Sequence, residues 1–227
     1  MLPWQLIDTA EVPGGGEPLR LMRRGREFSI KLGSNELMSS RLYGSEEALA
    51  TLSCARLKDR PTPHLLIGGL GMGFTLRAAL KVLGPQARVT VAELVPAVIA
   101  WARGPMAELS GESLNDPRVD IREGDVVKLI TAARGDYDAI LLDVDNGPQG
   151  LTRESNDALY DPSGLRAAFT ALRPGGLLAV WSSHPDDRFA PRLRKAGFAA
   201  EEIKIRATGR GGGGARHVIW IATRPTR

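Results

Sequence analysis

The chain has 227 residues, 43% of them hydrophobic and 25% charged, and a formal net charge of +4. That is enough for one domain with a proper core and a small appendage, and too apolar for a disordered segment. One cysteine, Cys54, excludes an internal disulfide, and three scattered histidines offer no zinc spacing, so no metal is expected. No apolar run approaches the roughly 20 residues of a membrane span, and the start "MLPWQLIDTA" lacks the basic lead and cleavage site of a signal peptide. The expectation is a cytoplasmic protein with no membrane contact. Arg206, Arg210, Arg216, Arg224 and Arg227 cluster toward the end without interleaved aromatics, which reads as a solvated basic surface and argues against a nucleic-acid partner.

In the first 60 residues, "WQLIDTA", "PLRLMRR", "REFSIKL" and "ELMSS" are short strand-like runs separated by the turn chemistries "GGG", "RG" and "GSN". They predict a small antiparallel sheet. "SEEALATLSCARL" follows as a helix, with Ser45 as N-cap ahead of acidic first-turn residues, and "KDRPTP" is a linker. The division expected is 1–60 for this region and its helix, and 61–227 for the rest. From His64 onward the strand-like runs "HLLIG", "RVTVAE", "VDIRE", "YDAILLDV" and "GLLAVWSS" alternate with the helical runs "FTLRAALKVLG", "PAVIAWARGPMAEL" and "PSGLRAAFTALR". This α/β alternation predicts a mostly parallel sheet covered by helices on both faces. "EEIKIRA" and "HVIWIAT", joined across "GRGGGGAR", predict an antiparallel pair that closes it.

Ligands of open α/β sheets sit at the carboxyl ends of the strands, where a glycine-rich turn after the first strand lets backbone approach ligand. Gly69, Gly71 and Gly73 occupy that turn, although tight helix-strand packing explains such glycines equally well. Glu93, at the tip of the second strand, is placed to accept ribose hydroxyls, and Asp125, past the third, to reach an adenine amino group. Together these three signals predict an adenosine site. Both acids lie at strand tips, so replacing them is expected to leave the fold intact. The fourth strand ends in "LLDVDNGPQGL", with Asp143 and Asp145 facing the cleft. Carboxylates there repel a pyrophosphate and attract an amine or a sulfonium, which disfavours a dinucleotide. An Asx-turn serves equally well for Asp145 and Asn146. Asp143, closing the apolar run "AILL", has little structural reason to be there.

These segments resemble the spermidine synthase family, aminopropyltransferases on the Rossmann-like fold of S-adenosylmethionine-dependent methyltransferases. "LIGGLGMGFTLR" is similar to the family's glycine motif, "VAELVPAVIAWAR" to its ribose-binding strand, "REGDVVKLI" to its adenine segment and "YDAILLDVDNGP" to its catalytic aspartate loop. "LYDPSGLRAAFTALRPGGLLAV" resembles the gate and helix that follow. The resemblance implies a doubly wound sheet behind a small dimer-forming N-terminal sheet, hence a homodimer. It also implies decarboxylated S-adenosylmethionine as cosubstrate and a small-molecule polyamine as acceptor. Asp143 is then the base, Asp145 steers the amine, and Tyr160 or Trp181 packs on its methylenes, with core packing the competing role for both aromatics. The family's tyrosine-histidine pair is missing from "RLYGSEEALA", which leaves Tyr43, Glu46 and Glu47 as polyamine contacts. The acids that hold the cosubstrate's ammonium are also missing, replaced by Gly71 and Ala78. A helix N-terminus without them favours a carboxylate, so intact S-adenosylmethionine, and with it methyl transfer to an amine, is the alternative. Asp143, Asp145, Asp186 and Asp187 are the candidates for a replacement acid. A non-catalytic adenosine-binding dimeric scaffold is the third reading.

Overall fold

The computed structural model describes residues 2–144, 158–207 and 216–226. The first four strands, β1 (Gln5–Ala10), β2 (Leu19–Arg24), β3 (Glu27–Leu32) and β4 (Asn35–Ser39), form an antiparallel meander in the order β1-β2-β3-β4. Period-2 alternation gives this sheet its buried face: Leu19, Leu21, Phe28 and Ile30 point one way. They share a core with Met72, Phe74, Val95, Val98, Trp101 and Met106 of the larger unit. A polar contact fixes the seam, because the Trp101 indole Nε1 donates to Asp8 Oδ2 at 2.7 Å.

Helix α1 (Gly44–Ala55) buries the face carrying Glu46, Leu49, Ala50 and Ser53, the spacing of one helical stripe. Ser45 is not its N-cap. Tyr43 takes that position without a side-chain bond, and Ser45 lies inside the first turn, fully buried, with its hydroxyl turned to Glu46 and His217. A tertiary contact has overridden the local capping preference.

The main sheet consists of β5 (His64–Gly68), β6 (Arg88–Glu93), β7 (Val119–Glu123), β8 (Tyr137–Leu142), β9 (Leu172–Ser182), β10 (Ala199–Arg206) and β11 (Arg216–Thr223). Among the described residues its order is β10-β11-β9-β8-β5-β6-β7, with β5 to β9 parallel and β11 antiparallel to both neighbours. Every residue of β8 is buried, as expected for a strand covered on both faces. Successive side chains go to opposite cores: Leu65 and Ile67 to one, Leu66 to the other. Helices α2 (Phe74–Val82), α3 (Pro96–Arg103), α4 (Ala107–Ser110), α5 (Val126–Ala132), α6 (Pro162–Ala171) and α7 (Phe189–Lys195) complete the architecture. The helix expected over "PAVIAWARGPMAEL" is two, because α3 ends at Gly104 and the following Pro105 has no N–H to continue the ladder. None of the described helices is long and apolar enough to cross a membrane.

From β5 the chain moves outward to β6 and β7 on one side, and the later strands β8 and β9 lie on the other. The order therefore reverses between β5 and β8, and the carboxyl ends of adjacent strands diverge into a crevice there. Backbone bonds stitch its floor: Asp143 N donates to Gly68 O at 2.9 Å and Gly69 N to Ala92 O at 2.8 Å. Gly69 has φ +88°, and a Cβ there would strike the carbonyl oxygen of Asp143. Replacement of Gly69 by alanine combines that collision with an unfavourable φ, and is expected to lower stability by more than about 2 kcal/mol in urea denaturation. Wild-type stability of Gly69→Ala would show that the close approach is not required.

Candidate active site

The crevice opens into a cavity of about 230 Å³. Its floor is the strand tips, with Gly69, Gly71, Glu93, Asp125 and Asp143, and its roof is the N-terminal sheet, with Leu19, Ile30, Leu37 and Met38. The walls are mostly apolar, so the few polar groups carry the recognition.

Glu93 does more than face a ligand. Its Oε2 accepts the Leu70 N–H and its Oε1 the Val95 N–H, both at 2.9 Å, so one carboxylate fastens the glycine turn to the start of α3. Burial raises its pKa and the backbone bonds pull against that rise. The expectation that its removal leaves the fold intact is therefore corrected, because Glu93→Ala would strand two buried N–H groups. The N–H groups of Gly71 and Leu94 also act on this carboxylate, so the backbone competes with a ribose hydroxyl for its oxygens. Asp125 is the N-cap of α5, its Oδ1 accepting Val127 N at 2.8 Å, and it lines the cavity as well.

At Gly71 the space beside the backbone is taken. A Cβ there would lie 2.8 Å from both Sδ and Cε of Met38, and the Met72 N–H points at Met38 Sδ at 3.2 Å. With the Leu70 N–H held by Glu93, two donors of this turn are already engaged and unavailable to a cofactor carboxylate. Gly73, φ +79°, abuts Ser110 and belongs to packing. Ala78 is buried in the core and is absent from the cavity wall.

Asp143 follows β8 and lines the opposite end of the cavity. Thr75 Oγ1 donates a 2.6 Å hydrogen bond to its Oδ2, and burial pushes its pKa up to about 6. Trp181 also stands in this wall, edge-on to His217 at 4.8 Å between ring centroids, and its Nε1 has no acceptor among the described residues. The other proposed amine contacts lie elsewhere. Tyr160 is packed in the core edge-on to Phe189, and Glu47 is paired with Arg77 at 2.9 Å outside the cavity wall. Asp186 is consumed by Arg192 at 2.7 Å, and Asp187 is an exposed residue outside the wall. Asp145 lies outside the described residues.

The acid that the wall contains beside Asp143 is Glu46, not Glu47. Burial, and then the charge of Asp143, push its carboxyl up to about 7, while the Ser45 hydrogen bond opposes the rise. The signal was present in the sequence: Glu46 shares the spacing of Leu49, Ala50 and Ser53, whereas Glu47 falls off that stripe.

A family model for the spermine/spermidine synthase domain matches residues 45–186. Polyamine aminopropyltransferase 1 of Streptomyces coelicolor is 33% identical over 156 residues, 64% of this chain and 28% of that protein. The polyamine aminopropyltransferase of Mycobacterium tuberculosis is 31% identical over 194 residues, 81% of this chain and 35% of the relative. The chain thus spans about a third of the length of these relatives. The structure of spermidine synthase from Thermotoga maritima superposes with a TM-score of 0.76 at 18% identity, covering 98% of this chain and 74% of that one. A precorrin-6y C5,15-methyltransferase of Geobacter metallireducens follows the same fold more distantly, with a TM-score of 0.56 at 15% identity over 77% of this chain and 87% of that one.

The Glu46 carboxyl carries a stability consequence. The folded protein holds its proton more tightly than the unfolded chain, so ionising it costs folding free energy. That cost is absent below its ordinary value of 4.5, grows as pH rises and is complete above about 7. A rise of that size corresponds to about 3 kcal/mol. Glu46→Gln, which keeps an acceptor for Ser45, is expected to be more stable than wild type by about 1–3 kcal/mol in denaturation above pH 7 and unchanged below pH 4.5. An equal effect at both ends would mean that the carboxyl is not held protonated by the fold.

Proposed function

We propose that this chain, which belongs to the spermine/spermidine synthase family, moves an aminopropyl group from decarboxylated S-adenosylmethionine to a polyamine nitrogen, with Asp143 as the base. The observation that carries this reading is the Asp143 carboxylate. It sits at the switch point of the sheet, inside an apolar cleft, and burial holds its pKa up to about 6, near the pH at which an acceptor ammonium must be deprotonated.

The residues divide the cleft into two ends. Gly69, Glu93 and Asp125 form the nucleoside end, where a bare backbone and two acids fit the ribose and adenine edges. Asp143 and Trp181 form the amine end, the indole offering an apolar face and a cation-π surface to an alkylammonium group. Asp143 takes a proton from the acceptor, whose lone pair then attacks the carbon beside the sulfonium. The carbon-sulfur bond breaks, its electron pair stays on sulfur, and neutral methylthioadenosine leaves. The sulfonium is already a reactive electrophile, so positioning supplies much of the remaining rate.

Aminopropyl transfer is preferred over methyl transfer because of Met38. Its side chain fills the space at Gly71 and accepts the Met72 N–H, so the turn presents fewer free donors for the carboxylate of intact S-adenosylmethionine. A homodimer through the N-terminal sheet is part of the same proposal and rests on the family.

The test is product identity. With decarboxylated S-adenosylmethionine and linear diamines, methylthioadenosine and a lengthened polyamine are expected, and Asp143→Asn should slow turnover about 100-fold or more without loss of nucleoside affinity. Production of S-adenosylhomocysteine from the intact cofactor, or no turnover with either, would overturn the reading.

A further inference from the structure

Residues from opposite ends of the chain meet behind the Asp143 end of the cleft. Glu46, 6% exposed, enters the cavity wall from α1 opposite the end of β8. Ser45 Oγ donates to its Oε2 at 2.6 Å and lies 2.9 Å from His217 Nδ1 on β11. Thr75 Oγ1 spans the other side, 2.6 Å from Asp143 Oδ2 and 3.3 Å from the backbone carbonyl of Glu46. One threonine hydroxyl thus ties the elements carrying the two acids. Among the described residues neither Glu46 nor Asp143 has an ion-pair partner: Arg77, the cation beside α1, is taken by Glu47. The Trp181 Nε1 of the same wall, on a side chain 8% exposed, also lacks an acceptor. Among the described residues, a buried and a half-buried carboxyl with no cation, beside a buried indole N–H with no acceptor, mark a place suited to an arriving cation, since a buried charge left unpaired is costly.

We propose that Glu46 is the second acid of the amine end, that in the empty cleft it and Asp143 hold one proton between them, and that an arriving ammonium group takes that proton's place. Ser45 and His217 are positioning residues that fix the Glu46 carboxyl. The substrate half of this proposal rests on the aminopropyl reading, whereas the shared proton does not.

Proton bookkeeping then closes over one turnover. The ammonium enters as the pair releases its proton to solvent, which leaves two carboxylates around one cation. The pair next takes a proton from that ammonium, which restores its singly protonated state and frees the nitrogen lone pair for attack. The product nitrogen leaves as an ammonium, so the one proton lost per turnover departs on binding and not during chemistry. Burial, and for Glu46 also the charge of Asp143, raise both carboxyls above their ordinary values, and between the two titration steps of the pair it carries a single proton. The other charged groups facing it are Glu47, neutralised by Arg77; His217, with His184 nearby; and Glu17, Glu93 and Asp125 along the cavity wall. Each hydroxyl has one hydrogen to give. Ser45 donates to Glu46 when the carboxyl is ionised, and to His217 Nδ1 when Glu46 carries the proton.

Carboxyl 13C NMR titration of the full chain without ligand tests the shared proton. Wild type should show two coupled steps; a single step should remain in Glu46→Gln and in Asp143→Asn, and in Asp143→Asn it should lie below the wild-type upper step while burial still keeps it above the ordinary glutamate value. A Glu46 step that stays at its wild-type position in Asp143→Asn overturns the pair. Ser45→Ala should move the upper step to higher pH, because the ionised form loses a donor, and Ser45→Thr should restore it; an unmoved step overturns the positioning role. Titration calorimetry with 1,4-diaminobutane, in two buffers of different ionisation enthalpy at a pH between the two steps, tests the exchange. Wild type should release close to one proton per amine bound, and Glu46→Gln should release none and bind about tenfold or more weakly. Wild-type binding without proton release overturns the exchange. A diamine that does not bind, with both titration steps intact, overturns the aminopropyl reading and the ammonium's role, while a single-step titration with normal amine binding overturns the shared proton alone.

Discussion

The candidate site depends on how closely two backbones approach at the reversal of the sheet. The Asp143 carbonyl occupies the volume that a side chain at Gly69 would need, and the Asp143 N–H is bonded to Gly68 O at 2.9 Å. The end of β8 is therefore clamped to the end of β5. The side chain of Asp143 has one direction left, into the crevice, where Thr75 meets it. Glu93 does the same for the neighbouring turn, holding Leu70 and Val95 with one carboxylate. The geometry of the cleft is thus set by main-chain contacts that glycine makes possible and that a buried acid completes.

The enclosed acids differ in how their charge is compensated. Asp138, 1% exposed at the amino-terminal side of the sheet, is held by Arg60 at 3.2 Å, Arg173 at 2.7 Å and the His64 N–H at 2.8 Å. Its charge is compensated, and it serves the fold. Among the described residues Glu46 and Asp143 have hydroxyl donors but no cation, and burial pushes their carboxyls upward. Such an arrangement weakens the empty fold at neutral pH, and it prepares the cleft to take up positive charge. Strain of this sort is expected where a site is built for a partner that arrives later.

Much of this was legible in the sequence. Alternating apolar runs located the strands, the turn glycines marked the crevice, and Asp143 stood out as a charge closing the buried run "AILL". What escaped was what depends on long-range contact. Ser45 reads as a cap until His217, 172 residues away in sequence, draws it inward. Glu46 and Glu47 are indistinguishable by chemistry, and only the helical stripe through Leu49, Ala50 and Ser53 sends one into the cleft and leaves the other to Arg77. Tyr160 follows a motif resemblance but sits among Leu165 and Phe189, because aromatic residues near a gate are as useful to a core as to a ligand. Met38 belongs to a β-strand 33 residues before the turn it fills, and nothing local announces that contact.

The most direct measurement is a crystal structure of the protein with methylthioadenosine and 1,4-diaminobutane bound together. One amine nitrogen should lie within hydrogen-bond distance of both the Glu46 and Asp143 carboxyls, with the adenine toward Asp125 and the ribose on Glu93. A diamine seated on Glu47 or on the outer surface, with Glu46 and Asp143 still facing an empty end of the cleft, would contradict the assignment of that end to the acceptor amine.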